Sequence, residues 1–200
     1  MSGIIFVQTS NMKKKPTIQL TLVLLAMTVA NLSMAQMRGG HGPLSPVKVG
    51  SVVVNFGIGI GGNYRGDSYG TAFGAKVAAE WGLWQAGPGV ITLGPEVGGS
   101  FSNGGYHYDG YKARTIVVAG RAAWHFGWDI PGLDTYGGVA AGVGFHHYHY
   151  DNPSYDFNET IPVFGGFVGA SYFITPTFGF NAEAGYDITN FQVGIVLKVQ

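Results

Sequence analysis

The chain has 200 residues, 11 basic against 11 acidic side chains and no cysteine; 34 residues are glycine, 14% are aromatic and only 11% are charged. This composition excludes a basic nucleic-acid surface, an intrinsically disordered chain, a disulfide framework and thiolate metal sites. With no strict three-residue glycine period to make collagen, an all-β or membrane-embedded domain remains.

Lys13, Lys14 and Lys15 precede an apolar run from Ile18 to Ala30, and Ser33-Met34-Ala35 supplies small residues at the expected cleavage positions. Basic, apolar and small-residue regions in that order predict a secretory signal over 1–35, cleaved before Gln36, with Met12 as the natural start. The apolar run falls short of the roughly 20 residues of a transmembrane helix. Removing the three lysines leaves 8 basic against 11 acidic residues. Residues 36–46 lack periodicity and read as a flexible leader, and 47–200 as the folded domain.

From there the period is two. Segment 47–61 sets Val52, Val54, Phe56, Ile58 and Ile60 against Ser51, Asn55, Gly57 and Gly59. Segment 71–84 sets Phe73, Ala75, Val77, Ala79, Trp81 and Leu83 against Gly74, Lys76, Ala78 and Glu80. In 90–102, Ile91, Leu93, Val97 and Phe101 oppose Thr92, Glu96 and Ser100. In 112–126, Ile116, Val118, Trp124 and Phe126 oppose Thr115, Ala119, Arg121 and His125. In 135–148, Val139, Val143 and Phe145 oppose Gly138, Gly142, Gly144 and His146. Segment 161–173 leaves its face open, with Phe164, Val168 and Tyr172 the more apolar choice. Segment 178–187 sets Phe178, Phe180, Ala182 and Tyr186 against Asn181, Glu183 and Asp187. In the last segment Phe191, Val193, Ile195, Leu197 and Val199 alternate with Asn190, Gln192, Gly194 and Lys198.

Strands this long match the roughly 9–11 residues needed to cross a bilayer at a tilt. Connections 85–89, 127–134 and 174–177 are compact, whereas 62–70, 102–111 and 149–160 are longer and rich in Tyr, Asp, Asn and Gly. An even-stranded up-and-down membrane barrel has this asymmetry, with compact turns on the periplasmic side and longer loops outside. Trp81, Trp84, Trp124 and Trp128 all fall at the expected periplasmic end and read as an aromatic girdle, joined by Tyr136 and Tyr172. Tyr64, Tyr69, Tyr106, Tyr108, Tyr111, Tyr148, Tyr150 and Tyr155 fall at the outer rim or in its loops.

A secreted lipocalin-like barrel shares this alternation but turns its apolar face inward. Its water-facing side would then be dense in Lys, Glu and Thr. Here the polar face carries mostly Gly, Ala, Ser and Asn with six scattered ions: Lys76, Glu80, Glu96, Arg121, Glu183 and Lys198. Small residues with balanced charge suit a cramped, polar lumen, which an eight-stranded barrel fills with side chains. A turn centred near Gly87 sets Ala78 opposite Glu96, with Lys76 and Glu80 diagonal at about 7–8 Å. If the next hairpin brings Arg121 opposite Glu96 from the other side, that carboxylate sits between two cations. The expectation is a structural plug rather than a gate.

The chain thus resembles the small eight-stranded bacterial outer-membrane barrels of the OmpX and OmpA-transmembrane-domain type, often called porin family. The resemblance covers about 47–200 and is carried by the signal, the strand count and the closing GYDITNFQVGIVLKV, Gly185 to Val199. Members of that family usually end in an aromatic residue read by the assembly machinery, whereas this chain ends Lys198-Val199-Gln200. The resemblance implies an integral outer-membrane barrel, structural or adhesive, without enzymatic activity or cofactor. Its implied partners are outer-membrane lipid and lipopolysaccharide, the barrel-assembly machinery, and an extracellular partner at loops 62–70, 102–111 and 149–160. A narrow channel or a lipid-modifying enzyme are the other classes considered. For the enzyme, Ser100 or Ser102 with His107 and Asp109 would be needed, yet their spacing fits no lipase elbow. For a metal, His107, His146, His147 and His149 are the candidates, without a carboxylate at ligand spacing. Neither is expected to be a site.

Overall fold

A computed structural model of the chain describes residues 45–62, 64, 72–103, 112–149 and 157–199; the expected signal and residues 36–44 of the leader lie outside these. Period-two alternation gives eight strands: β1 (Val52–Ile60), β2 (Ala72–Ala86), β3 (Gly89–Asn103), β4 (Lys112–Gly127), β5 (Leu133–His149), β6 (Phe157–Phe173), β7 (Phe178–Tyr186) and β8 (Phe191–Val199). Each pairs antiparallel with the next, and β1 pairs with β8 from Val52 opposite Val199 to Ile60 opposite Phe191. The sheet is therefore a closed up-and-down barrel, in which the backbone groups of the paired stretches bond to one another without an edge.

The wall is uneven. Strands β1, β7 and β8 have 9 residues each, while β2 to β6 run from 15 to 17. The turn at Gly87 and Pro88, the connection 128–132 and the turn 174–177 gather with Val52 and Val199 at one end, here the turn end. The long connections leave from the opposite, loop end.

Apolar side chains point outward. Ile58, Phe73, Val139, Phe164 and Val168 are each 63–69% exposed. In β6 the outward set is Phe164, Val168 and Tyr172, while Val163, Phe167 and Phe173 point inward and are buried. Bulky apolar residues on both faces are the reason its alternation is poorly marked. A Cβ on Gly138 would lie 2.6 Å from the Phe167 ring, so the ring occupies space that glycine leaves open.

The chain before β1 is also packed. Val47 is 0% exposed, in an apolar cluster with Val53, Phe173 and Val196 at the turn end. The Gly50 amide donates to the Gly82 carbonyl at 2.8 Å, and the Gly82 amide to the Ser51 carbonyl at 2.8 Å. A Cβ on Gly82 would fall 2.2 Å from the Lys48 carbonyl oxygen, and one on Gly127 would fall 2.2 Å from Ser45 Cα. Only glycine allows so close an approach. Ser45 and Pro46, expected in the flexible leader, therefore belong with the barrel.

Candidate functional site

Inward parity collects ionisable residues from five strands and one turn. Lys76 and Glu80 come from β2, Glu96 from β3, Arg121 and His125 from β4, Asp134 from β5, Glu183 from β7, and Asp187 from the β7–β8 turn; none is more than 4% exposed. At such burial a charge survives only when paired and hydrogen-bonded.

Arg121 is the centre. Its Nε lies 3.0 Å from Glu80 Oε1, its Nη1 2.8 Å from Glu96 Oε2 and its Nη2 2.9 Å from Glu183 Oε2. The guanidinium also lies 3.9 Å from the Phe167 ring centroid, a cation–π contact. Lys76 Nζ lies 3.0 Å from Glu96 Oε2 and donates to Glu183 and Asp187. The Tyr136 hydroxyl donates to Glu183 Oε2 at 3.2 Å.

A second group lies toward the turn end. Thr92 Oγ1 donates to Glu80 Oε2 at 2.6 Å, and His125 Nδ1 lies 2.7 Å from Asp134 Oδ2. The His125 ring stacks on Tyr136 with centroids 4.9 Å apart and planes at 25°. Toward the loop end an apolar layer covers the ions: Tyr64, Val117, Ala119, Val163 and Ile188 form one buried cluster. Burial, then the charge and hydrogen bond of Asp187, push the Tyr64 phenol above its ordinary range, so it stays a neutral donor.

Five of the six ions singled out from the sequence are brought together, with Ala78 opposite Glu96. Lys198 is not among them. Its Nζ donates to the Pro46 carbonyl at 2.7 Å, beside Phe173 at the turn end, because Lys198 is the penultimate residue of β8. Arg121 stands opposite Gly94 rather than Glu96, which faces Ala119 across the β3–β4 ladder. The long arginine side chain spans that diagonal.

Two tyrosines change place. Tyr136 has inward parity and is buried beside Glu183, so it is not part of an outer girdle. Tyr64, expected at the rim, turns into the barrel mouth and is buried. Trp81, Trp84 and Trp124 are exposed and Trp128 half-buried, all at the turn end, together with exposed Tyr172. Trp124 Nε1 donates to the Ala86 carbonyl at 3.0 Å and Trp128 Nε1 to Thr135 Oγ1 at 2.9 Å, which covers Phe126 between them. Of the other rim tyrosines, Tyr69, Tyr106, Tyr108, Tyr111, Tyr150 and Tyr155 lie outside the described residues, as does the side chain of Tyr148.

His125, Asp134 and Asp187 are participants that the sequence reading left out of the charge set. His125 and Asp187 already lay on inward parity. Asp134 ends the expected connection 127–134, and its pairing with Gly127 places it in the wall.

Ser100 and Ser102 point into the barrel near the loop end and are buried, whereas His107 and Asp109 lie outside the described residues. His147 and His149 share the outward face, and His146 points inward with Nδ1 2.8 Å from Thr115 Oγ1. Among the described residues no group of three or more His, Asp or Glu is placed to hold a metal ion.

No protein-family model matches the chain, and no curated protein sequence matches it. Solved structures with a similar fold include the N-terminal β-barrel domain of Pseudomonas aeruginosa OprF, at 14% identity and TM-score 0.44 over 76% of this chain and 98% of that one. Neisserial surface protein A is similar at 14% identity and TM-score 0.46, over 74% of this chain and 95% of that one. Ail, the attachment invasion locus protein of Yersinia pestis, is similar at 11% identity and TM-score 0.39, over 76% and 96%. The barrel topology of this chain stands on its own strand pairing.

Proposed function

We propose that the protein is an integral outer-membrane barrel that displays its loop end to the cell exterior, in a structural or adhesive capacity, and that its lumen is an ionic plug. The observation that carries this reading is the inversion of the two faces. The closed wall exposes Phe, Ile, Val and Leu, while Lys76, Glu80, Glu96, Arg121 and Glu183 are buried inside. A water-soluble barrel would not leave so continuous an apolar face in water, and a bilayer accepts a spanning sheet only when it is closed. The 9-residue strands match the length a tilted crossing needs. The tryptophans at the turn end suit the periplasmic headgroup layer.

The plug reading rests on the layering inside: Val47 with its apolar neighbours, then the ions, then Tyr64 with Ile188. The test is fractionation with outer membranes, together with migration in SDS before and after boiling and conductance in a planar bilayer. A heat-modifiable, membrane-bound, electrically silent protein supports the reading. A soluble product contradicts the membrane part, and steady single-channel current contradicts the plug.

A further inference from the structure

On the outward face of β4, β5 and β6 the apolar belt ends in a patch of different chemistry. One row of paired residues runs Phe191, Ile60, Phe73, Phe101 across β8, β1, β2 and β3. Across β4, β5 and β6 the same row continues as Arg114, His147, Asn158. The row below is Ile116, Phe145, Thr160, and the row above pairs Lys112 with His149. Adjacent strands lie about 4.8 Å apart and successive same-face residues about 6.8 Å. Arg114, Lys112, His147 and His149 are therefore close neighbours at the top of the belt, all exposed.

Three features make this patch a candidate site. Arg114 is positioned by the Phe101 ring, 5.3 Å from its centroid. Neither Arg114 nor Lys112 has an ion pair among the described residues. His147 Nδ1 lies 2.5 Å from Asn158 Oδ1, which fixes the imidazole beside the guanidinium. Between these side chains a cleft of about 350 Å³ is lined by Arg114, Ile116, Phe145, His147, Asn158 and Thr160, with Glu159 and His146 at its inner border.

The geometry points to a binding site here for the phosphate of an outer-leaflet lipid headgroup. Arginine offers a planar fork that matches phosphate oxygens, and lysine adds a second positive charge. Ile116 and Phe145 directly below offer an apolar track for the acyl chain, which a free phosphate would not use. The site rests on the membrane reading given above, because only in a bilayer does this row meet the headgroup layer.

The chain is folded into phosphatidylcholine nanodiscs carrying a minor fraction of phosphatidic acid, and lipids released with the protein are counted by native mass spectrometry. Phosphatidic acid should be enriched about tenfold over its bulk share, the worth of one charge-assisted contact. Lys112→Ala with Arg114→Ala should return the ratio to near the bulk value, while Lys48→Ala at the turn end should leave the enrichment intact. Equal enrichment in the double variant, or equal loss with Lys48→Ala, overturns the site. So does displacement by soluble glycerol phosphate as readily as by the lipid, which would make the ligand a free anion. Heat-modifiable migration is recorded for each variant in the same nanodiscs. An inserted barrel without enrichment defeats this site alone, whereas failure of the wild type to insert defeats the membrane reading and the site together.

Discussion

Arg121 and Glu183 meet at 2.9 Å across the barrel interior, joining β4 to β7, strands three places apart in the wall. This tie changes what each ion is worth. Four carboxylates, Glu80, Glu96, Glu183 and Asp187, converge on the two cations Arg121 and Lys76. Neither cation depends on Glu96 alone, whereas Arg121 is the partner that Glu80, Glu96 and Glu183 share.

Arg121→Met should therefore be the most damaging single change in the lumen. It leaves Glu80, Glu96 and Glu183 without their shared partner, and breaking a buried pair typically costs about 3–5 kcal/mol. Glu96→Gln should cost less, on the order of 1–2 kcal/mol, because Lys76 keeps Glu183 and Asp187 while Arg121 keeps Glu80 and Glu183. Urea unfolding midpoints in lipid vesicles rank the two. The reverse order would mean that Glu96, not Arg121, organises the cluster.

The packed segment before β1 gives a second expectation. Val47→Ala removes buried methyl groups from the cluster with Val53, Phe173 and Val196 and should cost about 1–2 kcal/mol. Conductance should stay absent, since the ion cluster remains in place. Current through this variant would show that Val47, rather than the ions, closes the lumen.

A third concerns the wall. Val193→Arg and Ile195→Arg place a charge on the outward face of β8. Near mid-membrane each should reduce folding into vesicles by about 2–4 kcal/mol. Gly194→Arg should fail for a steric reason, as a Cβ there would already lie 1.9 Å from the Phe56 carbonyl oxygen. Folding yield against detergent concentration separates the two causes, because only the charge penalty depends on lipid.

The strands and their faces were legible in the sequence because an apolar wall of closed sheet needs period two from end to end, and β8 shows it without interruption. The ion cluster was half legible. Parity and one hairpin register placed Lys76, Glu80 and Glu96, since a short turn at Gly87 fixes pairing locally. Parity also puts Glu183 and Asp187 on the inward face, but their partners Lys76 and Arg121 are hidden, because contacts across a lumen are set by barrel closure and not by neighbouring hairpins. Tyr64 and Tyr136 were misplaced for a related reason. An amphipathic ring reads as a rim residue unless its parity and a buried acceptor, here Asp187 or Glu183, draw it inward. Val47 reads only as the start of the first segment, because the turn at Gly50 interrupts the period between it and β1.

The inverted faces are tested most directly with spin labels, which the cysteine-free chain accepts at single sites. Val193→Cys lies on the exposed face of β8 and Gln192→Cys on its buried face, one residue apart. In lipid vesicles, a nitroxide at 193 should be relaxed strongly by oxygen and hardly at all by a water-soluble nickel chelate. The nitroxide at 192 should be shielded from oxygen. The opposite pattern, with 193 open to the chelate and 192 in an apolar interior, would contradict a membrane barrel with an ionic lumen.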